Sequence, residues 1–183
     1  MRPRSVSVLT PPIAEPVTLY EAREHLRLSP DQTDDDSLVL GLLATARRVV
    51  ERRLGQTLTA TQYLATWTDG VAVADLPYGP LLVGEDHALV VEADGEAVSQ
   101  ETYDVEGDLS AITFDSVPSG KLTVSYWAGA VPGSAIAPQL RSAILLLVGH
   151  LYANREATTA DGIGELPMAF EMLLASESST GAW

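Results

Sequence analysis

The sequence contains no cysteine, and that one absence removes a disulfide framework, thiol catalysis and thiolate metal sites together. It fits assembly in a reducing cytoplasm. Long apolar runs are missing as well. The longest, Ala143 to Val148, falls far short of the roughly 20 residues that span a bilayer, so no membrane segment is expected. Arg2 and Arg4 precede an apolar stretch that breaks at Pro11 and Pro12, too soon for a secretion signal, and secretion is not expected. The nucleophile elbow GxSxG and the phosphate cradles GxxxxGK[ST] and GxGxxG do not occur. Gly162, Ile163 and Gly164 come nearest, but they follow a helical pattern rather than a strand and read as a hinge. His25, His87 and His150 stand far apart without metal-ligand spacing, and Asp31 to Asp36 lacks the Gly and closing Glu of a calcium loop. No metal, no cofactor and no catalytic residue is expected.

What is present is enough for one folded body. In 183 residues, 46% are hydrophobic and 20% charged, an ordinary globular balance that argues against extensive disorder. The net charge of −14 is unevenly spread. Residues 1 to 55 carry eight basic and eight acidic groups, whereas residues 56 to 136 carry twelve acidic groups and Lys121 alone. A segment so poor in cations does not grip nucleic acid; it repels it.

The pattern of residues predicts an α+β chain, a helical core with a small antiparallel β unit inserted in it. Residues 1 to 16, rich in Pro, Ser and Val, have no helical period and read as an extended arm. Thr18 with Glu21 forms a capping box ahead of Leu19, Ala22, His25 and Leu26, and Ser29 and Pro30 end that helix. Asp34, Asp35 and Asp36 suit the start of a second helix. Its apolar positions Val39, Leu42, Leu43, Ala46, Val49 and Val50 repeat with helical period up to Gly55. The helical core is thus expected over 17–56 and 132–175, with the β unit at 57–131 and a polar tail at 176–183. Strands are predicted at Thr57 to Thr68, Ala88 to Ala93, Ala97 to Ser99, Ala111 to Phe114 and Lys121 to Trp127, with Asp94 and Gly95 as a hairpin turn. Pro138 opens a third helix reaching about Glu156, and Pro167 a short fourth one through Leu174.

Candidate functional residues are contact residues. Arg47, Arg48, Arg52 and Arg53 close the second helix, where cations complement the dipole; they read as a solvated face or as a docking patch. On the third helix Leu140, Ala143, Ile144, Leu147, Val148 and Leu151 line one side while Leu145 and Leu146 are apolar on another. Such a helix is buried on two faces, one of which can belong to a neighbouring subunit. Met168, Phe170, Met172 and Leu173 form an adaptable apolar surface fit for docking or for capping the chain's own core. Trp183, with Val6, Val8, Leu9 and Ile13, gives the two ends apolar anchors. Tyr20, Tyr63, Trp67, Tyr126, Trp127 and Tyr152 are scattered as core and interface fillers rather than as a stacking platform.

Three strings in order resemble the head-tail connector (adaptor) proteins of long-tailed bacteriophages and gene transfer agents. The first is Val17, Thr18, Leu19, Glu21, Ala22 and His25 to Leu28, with the acidic turn and the helix ending in Leu54 and Gly55. Leu76, Pro77, Pro80 and Leu81 make the second. The third is Pro138, Leu140, Arg141, Ala143 to Val148, His150 to Tyr152 and Asn154 to Glu156, and the likeness runs from about residue 17 to residue 174. The resemblance implies a structural virion protein without catalytic residues. It implies an antiparallel helical core, a β insertion and a ring of twelve copies beneath the portal protein. A stopper or tail protein would sit below, and DNA would pass only as cargo. The Ser-rich end with Ala182 and Trp183 departs from that family's pattern. A head-completion stopper or tail terminator is the alternative within a virion, though such proteins are more purely β. A ligand-binding β module on a helical scaffold would show a pocket lined by exposed aromatics; a hydrolase would need two converging carboxylates.

Overall fold

The computed structural model describes residues 1–29, 31–106, 111–131, 136–155 and 168–178. The chain divides into two units, each assembled from two separated stretches. A β unit comprises Met1–Ala14 and Gly55–Pro132, and a helical unit comprises Glu15–Leu54 and Gly133–Trp183. The fold is mixed α+β with antiparallel sheets.

In the β unit, β1 (Ser5–Thr10), β2 (Thr61–Trp67), β3 (Val73–Asp75), β4 (Leu81–Leu82), β5 (Val90–Ala93), β6 (Glu96–Ala97), β7 (Tyr103–Val105), β8 (Ala111–Phe114) and β9 (Leu122–Ala128) form two sheets. The larger runs β1-β2-β9-β5-β6, with β4 also on β9; the smaller runs β3-β8-β7. Strand β9 shows why alternation matters. Leu122, Val124, Tyr126 and Ala128 are buried, while Thr123, Ser125 and Trp127 point to the other face. The buried set packs with Ala65, Trp67 and Val91 of the same sheet and with Tyr103, Ile112 and Phe114 of the smaller one, so both sheets share one apolar core. The turn at Asp94 and Gly95 has both residues at positive φ, 50° and 84°, as a two-residue hairpin requires. Asp94 Oδ1 also accepts from the Lys121 backbone N–H at 2.8 Å. Gly120 leaves room for that carboxylate, since a Cβ there would come within 1.9 Å of it.

The segment read as an extended arm is part of this unit rather than a loose end. Strand β1 pairs antiparallel with β2 from Ser5 opposite Thr66 to Thr10 opposite Gln62, and Val6 packs against the core. The Trp67 indole N–H donates to the Met1 carbonyl at 2.9 Å. Val8, Leu9 and Ile13 remain exposed. Three more strands, β3, β4 and β7, lie where no strand is predicted, and β2 starts at Thr61 rather than Thr57.

The helical unit holds α1 (Leu19–Leu26), α2 (Asp36–Leu54), α3 (Pro138–Ala153) and α4 (Met168–Ser178). Both halves of the capping box at Thr18 and Glu21 are formed, and Gly55 follows α2 at φ 70°. Buried Val39, Leu43, Ala46 and Val50 of α2 face α3, whose Leu140, Ala143, Ile144, Leu147 and Val148 are buried; α1 and α4 pack on both helices. Helix α4 continues into what reads as polar tail, ending at Ser178 rather than Leu174. Pro30, Glu156, the Gly162 to Gly164 hinge, Pro167 and Trp183 lie outside the described residues.

Asp35 and Asp36, expected as helix-start charges, take side-chain partners. Asp36 pairs with Arg23 at 3.1 Å. Asp35 accepts from the Tyr152 hydroxyl and from Arg155 at 2.8 Å, and the Arg155 guanidinium lies over the Tyr152 ring. These bonds tie the start of α2 to the end of α3. The Tyr152 hydroxyl and the Arg155 guanidinium hold the Asp35 carboxyl below its ordinary pKa. The Thr18 N–H and hydroxyl, then Arg141, do the same for Glu21. Both groups are depressed in the folded state, so their contribution is present above the unfolded carboxylate pKa of about 4 and is lost as pH falls through the lower folded values. Thermal midpoints should therefore hold between pH 7 and about 5 and drop below about 4. Glu21→Gln with Asp35→Asn should flatten that drop; an unchanged acid limb would show that other carboxylates govern it.

Candidate functional site

Arg47 departs most from the sequence reading. It is buried, 4% exposed, and is neither part of a solvated face nor placed to contact another chain. It stands between Leu43 and Val50 on the inward stripe of α2, so only a charge supplied from within the unit can accompany it. Its Nε donates to Glu15 at 2.8 Å and one terminal nitrogen to Glu51 at 2.6 Å. Burial works against the charge, but the two carboxylates outweigh it and raise the guanidinium pKa further. The spacing Leu43, Arg47, Val50 was the available signal: i, i+4, i+7 is a single helix face.

The other three arginines are exposed. Arg53 pairs with Glu171 of α4 at 3.1 Å across two half-exposed side chains, a contact of small energetic weight. Arg48 and Arg52 have no carboxylate within ion-pair reach among the described residues. They continue an outward stripe of α2 that begins at exposed Leu38 and passes Gly41 and Thr45.

Helix α4 splits the predicted apolar surface in two. Phe170 is fully buried and Leu174 nearly so, which places them in the helical unit's own core and removes Phe170 from any docking surface. Met168 and Met172, one turn apart, are 82% and 71% exposed, and Leu173 is partly covered. Leu145 and Leu146 on α3 are half-buried, between the packed stripe and solvent.

The residues weighed for chemistry do not converge. A Cβ on Gly149 would lie 3.3 Å from Nε2 of His25, which therefore packs on α3, while the His87 ring stands edge-on to Trp127 at 5.0 Å in the β unit. Among the described residues no group of His, Asp and Glu could hold a metal ion, and no helix is long and apolar enough to cross a membrane. A groove of about 620 Å³ in the β unit is lined by Arg2, Pro3, Val6, Gly55, Asp75, Leu76, Pro77 and Tyr78. Tyr78 is its one aromatic, stacked on Tyr63, which stacks in turn on Tyr126. Tyr126 is buried, its pKa pushed up by that burial, and its hydroxyl donates to the Pro77 carbonyl at 2.6 Å. Trp67, Tyr103 and Phe114 are likewise buried and build the core, so Tyr78 is a single exposed ring at the groove rather than part of a pocket of exposed rings.

No protein-family model matches the chain, and no curated protein matches it in sequence. Solved structures do share its fold over nearly the whole length. A chain in the neck of an empty GTA particle, computed with C6 symmetry, is similar with a TM-score of 0.73 at 22% identity, covering 94% of this chain and 94% of that one. A chain in the virion of a native gene transfer agent (GTA) particle gives 0.72 at 21% identity, covering 93% of each. A chain in the neck of the native GTA particle, computed with C12 symmetry, gives 0.69 at 18% identity over 95% of this chain and 94% of that one. At these identities the likeness is one of fold.

Proposed function

We propose that this chain is a non-enzymatic structural subunit of the neck of a phage-like particle, a head-tail adaptor that forms a ring of twelve copies beneath the portal. The single observation that carries the reading is the whole-length likeness to chains in gene transfer agent necks, one computed with C12 symmetry. The surfaces agree with it. The helical unit covers its own core with α4 and still exposes Met168 and Met172 on that helix, and it leaves Leu145 and Leu146 half-covered. In this reading the methionine pair meets the portal, Leu145 and Leu146 meet a neighbouring copy, and a stopper or tail protein docks below. The acidic β unit lets DNA pass without holding it. A purely β stopper or tail terminator fits less well, because α1 to α4 build the described part of one unit.

Heads from a producer lacking this chain should be tailless, and purified protein added back should restore a ring visible by electron microscopy and then tails. Normal tails on those heads would end the proposal. The portal surface has its own test. Met168→Gln with Met172→Gln should leave the thermal midpoint unchanged, because both side chains are exposed, yet cut binding to those heads by about tenfold or more. Undiminished binding would remove the methionines from the interface.

A further inference from the structure

The outward stripe of α2 has a feature that solvation alone does not account for. Arg48 and Arg52 are four residues apart on one exposed face, where like charges repel. Six carboxylates of the same unit pair with other arginines instead: Glu15 and Glu51 with Arg47, Glu21 with Arg141, Asp35 with Arg155, Asp36 with Arg23, and Glu171 with Arg53. Above the two arginines the stripe is small and flat. A Cβ at Gly41 would touch nothing within 4 Å, Thr45 donates its hydroxyl back to the Gly41 carbonyl, and Leu38 is exposed. This is a helix face open to close approach, with two cations at one end that no carboxylate among the described residues answers.

The β unit carries the complementary pattern. Strand β7 is an edge of the smaller sheet, and Asp104 lies on its exposed face opposite Thr113. Glu106, two residues on and therefore on the same face, is also exposed and accepts from the Thr113 hydroxyl at 3.1 Å. The two carboxylates are spaced about 6.6 Å along the strand, and the two arginines about 6 Å along the helix. One pair can therefore meet the other in parallel. A ring closes only when each copy offers two different and complementary patches, one to each neighbour.

We propose that the basic end of the α2 stripe is a subunit contact, and that its occupant is β7 of the next copy, with Arg48 and Arg52 set against the neighbour's Asp104 and Glu106. The inference rests on the ring reading above and specifies its contact. The test uses two full-length variants, one with Arg48→Glu and Arg52→Glu, the other with Asp104→Arg and Glu106→Arg. Alone, each puts like charges at every contact and should need at least about tenfold more protein to assemble on heads lacking this chain. Mixed in equal amounts they restore opposite charges at every contact, and rings alternating the two should form near the wild-type concentration. Assembly of either variant alone at the wild-type concentration overturns the contact, as does a mixture of two folded variants that fails to assemble. Failure of the wild-type chain to form a ring on those heads sinks the ring reading instead, and the contact with it. If a reversed variant melts below wild type, Arg48→Gln with Arg52→Gln and Asp104→Asn with Glu106→Gln take its place. Each should then flatten the salt dependence of assembly, and an unchanged salt dependence overturns the contact.

Discussion

Phe170→Ala should destabilise the helical unit by about 3–5 kcal/mol, the range for removing a buried aromatic ring. The side chain is completely covered, and α4 packs on both α2 and α3, so the cavity would open inside the unit rather than at its edge. Denaturant unfolding measures it, with the midpoint falling and the slope little changed. The contrast with Met168 and Met172 on the same helix gives the measurement its meaning. One face of α4 holds the fold and the other faces outward. A Phe170→Ala chain of wild-type stability would make α4 an appendage, and the assignment of its two faces would fail.

Arg47→Ala should cost about 3 kcal/mol, the lower end of the range for breaking a buried ion pair. The guanidinium answers two carboxylates at once, and without it Glu15 and Glu51 face each other partly desolvated. Some water reaches both carboxylates, which is why the lower end applies. Restoring shape without charge separates this cause from lost packing: Arg47→Met with Glu15→Gln and Glu51→Met should recover most of the stability. A triple variant as unstable as Arg47→Ala would mean that the long side chain's packing, not its charge, was the loss.

Local rules were legible wherever a few neighbouring residues carry them. Thr18 with Glu21, Asp94 with Gly95, Gly55 and Pro138 each act through the backbone within one turn, and each appears where the sequence puts it. Strand β1 was hidden for the opposite reason. Ser5 to Thr10 alternates well enough, but only its pairing with Thr61–Trp67, more than fifty residues away, makes it a strand. Strands β3, β4 and β7, of two or three residues, are too short to show a period. On α4 the four apolar residues looked like one surface. The helix turns Phe170 inward and Met168 and Met172 outward, a division that only packing on α3 decides. Arginine in a basic run reads as solvated; the spacing between Leu43 and Val50 marks Arg47 as inward, but its partner Glu15 lies thirty-two residues earlier and no local pattern points to it.

The interleaving of the two units governs how the chain can be made and cut. Neither unit is contiguous: the β unit waits for residues 55 onward before β1 finds β2, and the helical unit waits for α3 before α1 and α2 have a core to close on. Some 54 residues of strand and helix thus leave the ribosome without their long-range partners, and folding is held back until most of the sequence is available. The same threading makes excision costly. A fragment limited to residues 55–132 would lose β1 and bare the seven-residue edge of β2, an unpaired strand that invites the sheet-to-sheet aggregation the intact chain blocks with its own first strand.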